Sequence, residues 1–128
     1  MSDGGRDLTR DEVIELLAEV GRLLLDQGKE AAIYVIGGAA MAIEYQSRRI
    51  TRDVDAALRS GGDAFWNATD EVGARHGLGP DWINNHATAF MTNEPDVDAS
   101  ELTLPGIKIA LASPEHLIAM KLRALRPR

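Results

Sequence analysis

Asp53 and Asp55 stand at alternate positions in Arg52-Asp53-Val54-Asp55-Ala56-Ala57-Leu58, downstream of a glycine pair, Gly37 and Gly38, that closes the apolar run Ile33-Tyr34-Val35-Ile36. Residues i and i+2 of a strand point to the same face, so the two carboxylates are expected to project together. Two such acids repel each other and resist ionising together unless a cation lies between them. Hard oxygen ligands of this kind suit Mg²⁺, which commonly takes one or two carboxylates plus the phosphates of a substrate. The glycines let backbone N–H groups approach such a phosphate. Asp53 and Asp55 are therefore the candidate metal ligands, and Gly37 and Gly38 the candidate phosphate cradle. Plain strand-to-helix punctuation is the alternative for the glycines, and solvated acids at a strand end the alternative for the aspartates. A dinucleotide-binding turn is set aside because Gly37-Gly38-Ala39-Ala40-Met41-Ala42 lacks the G-x-G-x-x-G spacing.

The elements that must hold these residues are legible in part. Thr9 and Glu12 form a capping box, and Val13, Leu16, Leu17, Val20, Leu23 and Leu24 recur at helical spacing, so a helix is expected over 9–28 with Gly28 as its stop. The run 31–36 reads as a buried strand, Gly38 as the start of a short helix to about Gln46, and 53–58 as a second strand. Ser60-Gly61-Gly62-Asp63 is a turn, followed by a helix over about 63–76 with Phe65, Trp66 and Val72 inward. Residues 81–104 have the least periodicity, with a short strand expected at 87–91. The alternating run 107–111 is a strand. Ser113 caps a last helix that has Pro114 at its first position. The fold class expected is a mixed α/β (α+β) layer, a small mixed sheet flanked by helices. Residues 1–8 read as a frayed tail and 9–128 as one domain.

Taken together these residues resemble the DNA polymerase beta superfamily of nucleotidyltransferases. The string Arg49-x-Thr51-x-Asp53-x-Asp55 and the later Lys121-Leu122-x-Ala124-Leu125-x-x-Arg128 are similar to its AbiEii-like toxin branch. Asp81-Trp82-Ile83-Asn84 is similar to a segment of small uncharacterised nucleotidyltransferase-like proteins. The resemblance implies transfer of NMP from an NTP to a hydroxyl acceptor, with RNA among the acceptors, Mg²⁺ or Mn²⁺ as cofactor, and an antitoxin as partner. It implies catalytic roles for Asp53, Asp55 and Lys121, with Lys121 on the triphosphate, and nucleotide-binding roles for Gly37, Gly38, Arg49 and Thr51. The residues alone leave Thr51 equally a turn hydroxyl, Arg49 a surface cation and Lys121 an exposed lysine. The resembling enzymes usually carry a third acid on a later strand. Residues 107–111 offer none, and Asp81, Asp96, Asp98 and Glu101 are the remaining candidates. A catalytically inactive nucleotide- or partner-binding module is therefore the second reading. In the resembling proteins the lysine helix continues into a further helix, which implies a naturally short or a truncated member here.

Composition narrows the field around these motifs. A net charge of −6 does not mark the whole chain as a polyanion binder, although Arg48, Arg49 and Arg52 cluster near the acids and Lys121, Arg123, Arg126 and Arg128 cluster at the end. With no cysteine there is no thiol nucleophile, disulfide framework or Cys-ligated zinc, which is compatible with a cytoplasmic setting. No apolar run approaches the ~20 residues that span a bilayer, so no membrane partner is expected. His76, His86 and His116 fall at no metal-ligand spacing and read as ordinary histidines.

Overall fold

The computed structural model describes residues 7–45, 51–91 and 95–125. Four helices, α1 (Arg10–Asp26), α2 (Gly37–Tyr45), α3 (Gly62–Arg75) and α4 (Pro114–Leu125), accompany five strands. The strands are β1 (Ala31–Ile36), β2 (Val54–Ser60), β3 (Ile83–Asn84), β4 (Ser100–Leu104) and β5 (Ile107–Leu111), in the spatial order β3-β2-β1-β5-β4. The sheet is mixed: β1 is antiparallel to β2 and parallel to β5, β2 is parallel to β3, and β4 is antiparallel to β5. The fold is thus the α+β arrangement expected from the chain.

Register divides the sheet into two unlike faces. Val35 stands opposite Ala56 on one side and Leu111 on the other, and Ile33 opposite Ile109, so these side chains share a face. That face is apolar and packs on α1 through Val13, Leu16, Leu17, Val20 and Leu24, and on α3 through Phe65, Ala68 and Val72. The helices form because their apolar residues recur at three- and four-residue spacing, and α1 starts at Thr9 because the Thr9–Glu12 capping box is present in both directions. The opposite face carries Asp55, Ala57 and Arg59 of β2, Tyr34 and Ile36 of β1, Ala110 of β5 and Glu101 of β4. The charged side chains among these strand residues, Asp55, Arg59 and Glu101, lie on this second face.

Several expectations need correction. The strand expected at 87–91 is a 3₁₀ turn, His86–Phe90, in which the Asn85 carbonyl accepts both the Thr88 N–H and the Thr88 hydroxyl. The short hydroxyl side chain bonding back to its own backbone competes with strand pairing there. Two strands lie in the segment read as irregular. β3 is two residues long and exists only because Val54 and Asp55 offer it a partner. β4 forms a hairpin with β5 around Pro105 and Gly106, and Gly106 has the positive φ of 83° that the third position of a type II turn requires. Leu8, read as part of a frayed tail, is fully buried and exchanges two backbone hydrogen bonds with Thr51, at 2.7 and 3.0 Å.

Candidate functional site

Asp55 lies opposite Ile36, the last residue of β1, so the chain brings its carboxylate to the point where Gly37 turns β1 into α2. Gly37 has φ +71°, and a Cβ there would stand 3.3 Å from Asp55 Oδ2. Glycine is favoured there by the left-handed backbone, and its missing Cβ lets the carboxylate approach closely. Asp53 is exposed at the bend just before β2. The Thr51 hydroxyl donates to the Asp53 carbonyl at 2.7 Å while the Thr51 backbone pairs with Leu8, so Thr51 folds the bend that delivers Asp53. Its described contacts fix the strand.

The electrostatics of the pair are those of two acids crowded into one place. Burial, and then the neighbouring Asp53 charge, push the Asp55 carboxyl above the usual carboxylate range, with His86 opposing the rise. His86 is brought there by a small device at the end of β3. Asn84 is paired in register with Asp55; its Oδ1 accepts the His86 N–H at 3.0 Å and its Nδ2 donates to the Asp81 carbonyl at 3.0 Å. Trp82 anchors the same segment beneath α3, with its indole N–H donating to the Thr69 carbonyl at 2.8 Å. A Cβ on Gly73 would lie 2.7 Å from the Trp82 ring, so helix and indole are in direct contact. Trp82→Phe removes the indole donor to the Thr69 carbonyl and is expected to cost about 0.5–1.5 kcal/mol. A fall in the denaturant midpoint with unchanged slope checks this.

Lys121 is exposed on α4 and lines a cleft of about 440 Å³ together with Ile36, Gly37, Gly38 and Met41. Ala87, Leu117 and Met120 complete a largely apolar wall. The glycine turn and Lys121 therefore share one cleft, and Asp55 touches the turn from the sheet side. Arg49 lies outside the described residues, as do Arg48, Arg126 and Arg128. Arg52 is exposed and ion-paired with Asp7 at 3.5 Å.

The candidates for a third acid are dispersed. Glu101 lies on the edge strand β4, level with Ala57 through Ala110 and Tyr34. Three strand spacings, about 14 Å, separate it laterally from β2. Asp81 and Asp98 are exposed in loops, and Asp96 accepts from the Tyr34 hydroxyl. Among the described residues no group of three or more His, Asp and Glu side chains gathers to hold a metal ion. The residue paired with Asp55 across β3 is an amide, Asn84, already engaged by Asp81 and His86.

The other histidines pack against neighbouring side chains, although the buried Nε2 of His116 has no hydrogen-bond partner among the described residues. His76 bonds Glu19 at 2.8 Å, and His116 is buried edge-on to Tyr34. Ser113 caps α4 as expected, its hydroxyl accepting the His116 N–H at 3.1 Å. No described helix is long and apolar enough to cross a membrane. Comparison with protein-family models, curated proteins and solved structures finds no match to this chain.

Proposed function

We propose that this chain is a Mg²⁺- or Mn²⁺-dependent nucleotidyltransferase that moves NMP from an NTP to a hydroxyl acceptor. The observation that carries the reading is the meeting of Asp55 with the Gly37 turn, which shares a cleft with Lys121. The donor set fits a divalent cation: Asp55 is half-buried, its ionisation opposed by burial and by Asp53, and a cation relieves both. A bound cation would supply neutralisation of the phosphate charge there. Asp53 and Asp55 would hold it. The backbone N–H groups of the Gly37 and Gly38 turn, at the start of α2, would bind the leaving phosphates, and Lys121 would neutralise their charge. The acceptor oxygen attacks the α-phosphorus, the bond to the bridging oxygen of the β-phosphate breaks, pyrophosphate leaves, and the hydroxyl proton passes to solvent. RNA as acceptor and an antitoxin as partner belong to this reading through the resemblance alone, and a cytoplasmic setting is compatible with the absence of cysteine.

One observation favours a second reading. No third carboxylate joins Asp53 and Asp55 among the described residues, which suits a module that binds nucleotide without transferring it. Incubation with each of the four α-labelled NTPs, Mg²⁺ and total RNA separates the two. Transfer of label that Asp53→Ala abolishes is the expected result. Binding by calorimetry without transfer favours the module, and neither binding nor transfer overturns both.

A further inference from the structure

The helix that carries Lys121 has a slender hold on the domain. Among its described residues only His116 and Met120 are buried, while Ile118, Leu122 and Leu125 are 60%, 62% and 74% exposed. Its fastening lies in the first turn. Asp96 Oδ2 accepts the Tyr34 hydroxyl at 2.5 Å and the Ser113 N–H at 2.8 Å. Ser113 in turn caps α4, and the His116 ring stands edge-on to Tyr34 with centroids 5.7 Å apart. A single carboxylate oxygen thus joins a middle strand, the loop before β4 and the start of α4.

The anchor itself is deeply held in the sheet. Tyr34 is 1% exposed, paired on both sides by β2 and β5, and covered by the Arg59 guanidinium 4.8 Å from its ring centroid. Burial opposes ionisation of Asp96, but the hydrogen bonds from Tyr34 and Ser113 outweigh it and hold the carboxyl below the usual carboxylate range. The fastening is therefore charge-assisted, the stronger class of hydrogen bond.

We infer that Asp96 is a positioning residue for the cleft: by pinning the first turn of α4 to β1 it sets where Lys121 stands opposite Gly37 and Gly38. The inference rests on the nucleotide reading of that cleft. Lys121 lies about 10 Å along the helix from the fastening, so a tilt of a few degrees there displaces its ammonium by an appreciable part of an ångström. Displacements of about 1 Å are enough to spoil a charged contact at a reacting phosphate.

The test combines two readouts on wild type, Asp96→Ala, Tyr34→Phe, Lys121→Ala and the Asp96→Ala/Lys121→Ala pair. Tyr34→Phe removes only the hydroxyl and keeps the ring, so it guards against a fold lost in Asp96→Ala. The first readout is amide hydrogen exchange over residues 117–124, which accelerates in Asp96→Ala and Tyr34→Phe while exchange in α1 stays unchanged. The second is calorimetry with Mg²⁺ and non-hydrolysable ATP and GTP analogues. Each single variant weakens binding roughly ten- to hundredfold, the scale of one charge-assisted hydrogen bond. In the Lys121→Ala background Asp96→Ala weakens it no further, the non-additivity of residues acting through one another. Unchanged exchange in α4, or equal weakening by Asp96→Ala in both backgrounds, overturns the inference. If the wild-type chain binds neither analogue, the nucleotide reading falls and the positioning role falls with it. Exchange then reports separately whether the fastening exists.

Discussion

Replacing Asp55 by asparagine is expected to stabilise the metal-free protein and to slow nucleotidyl transfer steeply. The sign on stability follows from the raised carboxyl of Asp55, which burial first and Asp53 second push above its ordinary range. A carboxyl raised in the folded state favours the fold while it is protonated and loses that advantage as pH rises from the unfolded value through the folded one. At neutral pH the ionised Asp55 is therefore a burden on the native state, and a neutral amide in its place removes that burden. Melting curves across pH check this: Asp55→Asn melts above wild type at pH 7, and the two converge under acid where Asp55 is already protonated. Added Mg²⁺ raises the melting temperature of the wild type and leaves Asp55→Asn unmoved, because a ligand stabilises only the state that binds it. On the transfer reaction the same substitution is expected to cost on the order of 10²–10³-fold in rate, the scale seen when one preorganised electrostatic group is removed. Opposite signs on stability and activity are what a site strained for function produces.

Gly106→Ala is expected to be among the most damaging single methyl additions to this fold. Gly106 combines a φ of 83° with an approach to α1 so close that a Cβ would collide with the Gly21 carbonyl. The left-handed backbone costs an alanine about 1–2 kcal/mol, and overpacking against fixed backbone adds about 1–3 kcal/mol. The reciprocal change, Gly21→Ala, meets the Pro105 carbonyl and is destabilising although alanine is the better helix former by about 1 kcal/mol. Gly28→Ala supplies the control, since Gly28 also has a positive φ of 70° but nothing lies within 4 Å of its Cβ position. Denaturant unfolding should rank the losses Gly106 well above Gly28. Equal losses would show that backbone strain alone, and not the contact between α1 and the β4–β5 turn, governs these positions.

Much of this architecture is legible in the chain because local chemistry and tertiary demand agree. The Thr9–Glu12 box starts α1, Ser113 and Pro114 start α4, and the continuous apolar run of β1 belongs to a strand flanked on both sides. β4 is harder to read, although its signal exists: Leu102 and Leu104 alternate with Glu101 and Thr103, and the run ends on the Pro105-Gly106 turn that leads into β5. Low hydrophobicity hides that alternation because β4 is an edge strand with one wet face. β3 has no local signal at all. Two residues cannot declare a strand, and only the anchoring of Trp82 under α3 and the open flank of β2 create it.

The site follows the same division. The two strands and the glycine turn behind the approach of Asp55 to Gly37 are visible in sequence, whereas the antiparallel pairing that sets Asp55 opposite Ile36 comes from the structure. So does its place within the sheet: β3 flanks β2, so the acids lie at the end of the interior β1–β2 pair and not at a sheet edge. The part played by Asn84 in bringing His86 toward Asp55 depends on β3 and is hidden for the same reason. The Asp96 bond to Tyr34 spans sixty-two positions, a separation that no local pattern encodes.

Paramagnetic broadening by Mn²⁺ tests the central claim most directly. Trace Mn²⁺ added with a non-hydrolysable NTP to the isotopically labelled protein should erase the amide signals of Gly37, Gly38, Val54 and Asp55 first. It should leave β4 and the outer face of α1 intact, and Asp55→Asn should restore the lost signals. Broadening centred on another acidic surface, or none at stoichiometric metal, would contradict a cation held between the paired aspartates and the glycine turn.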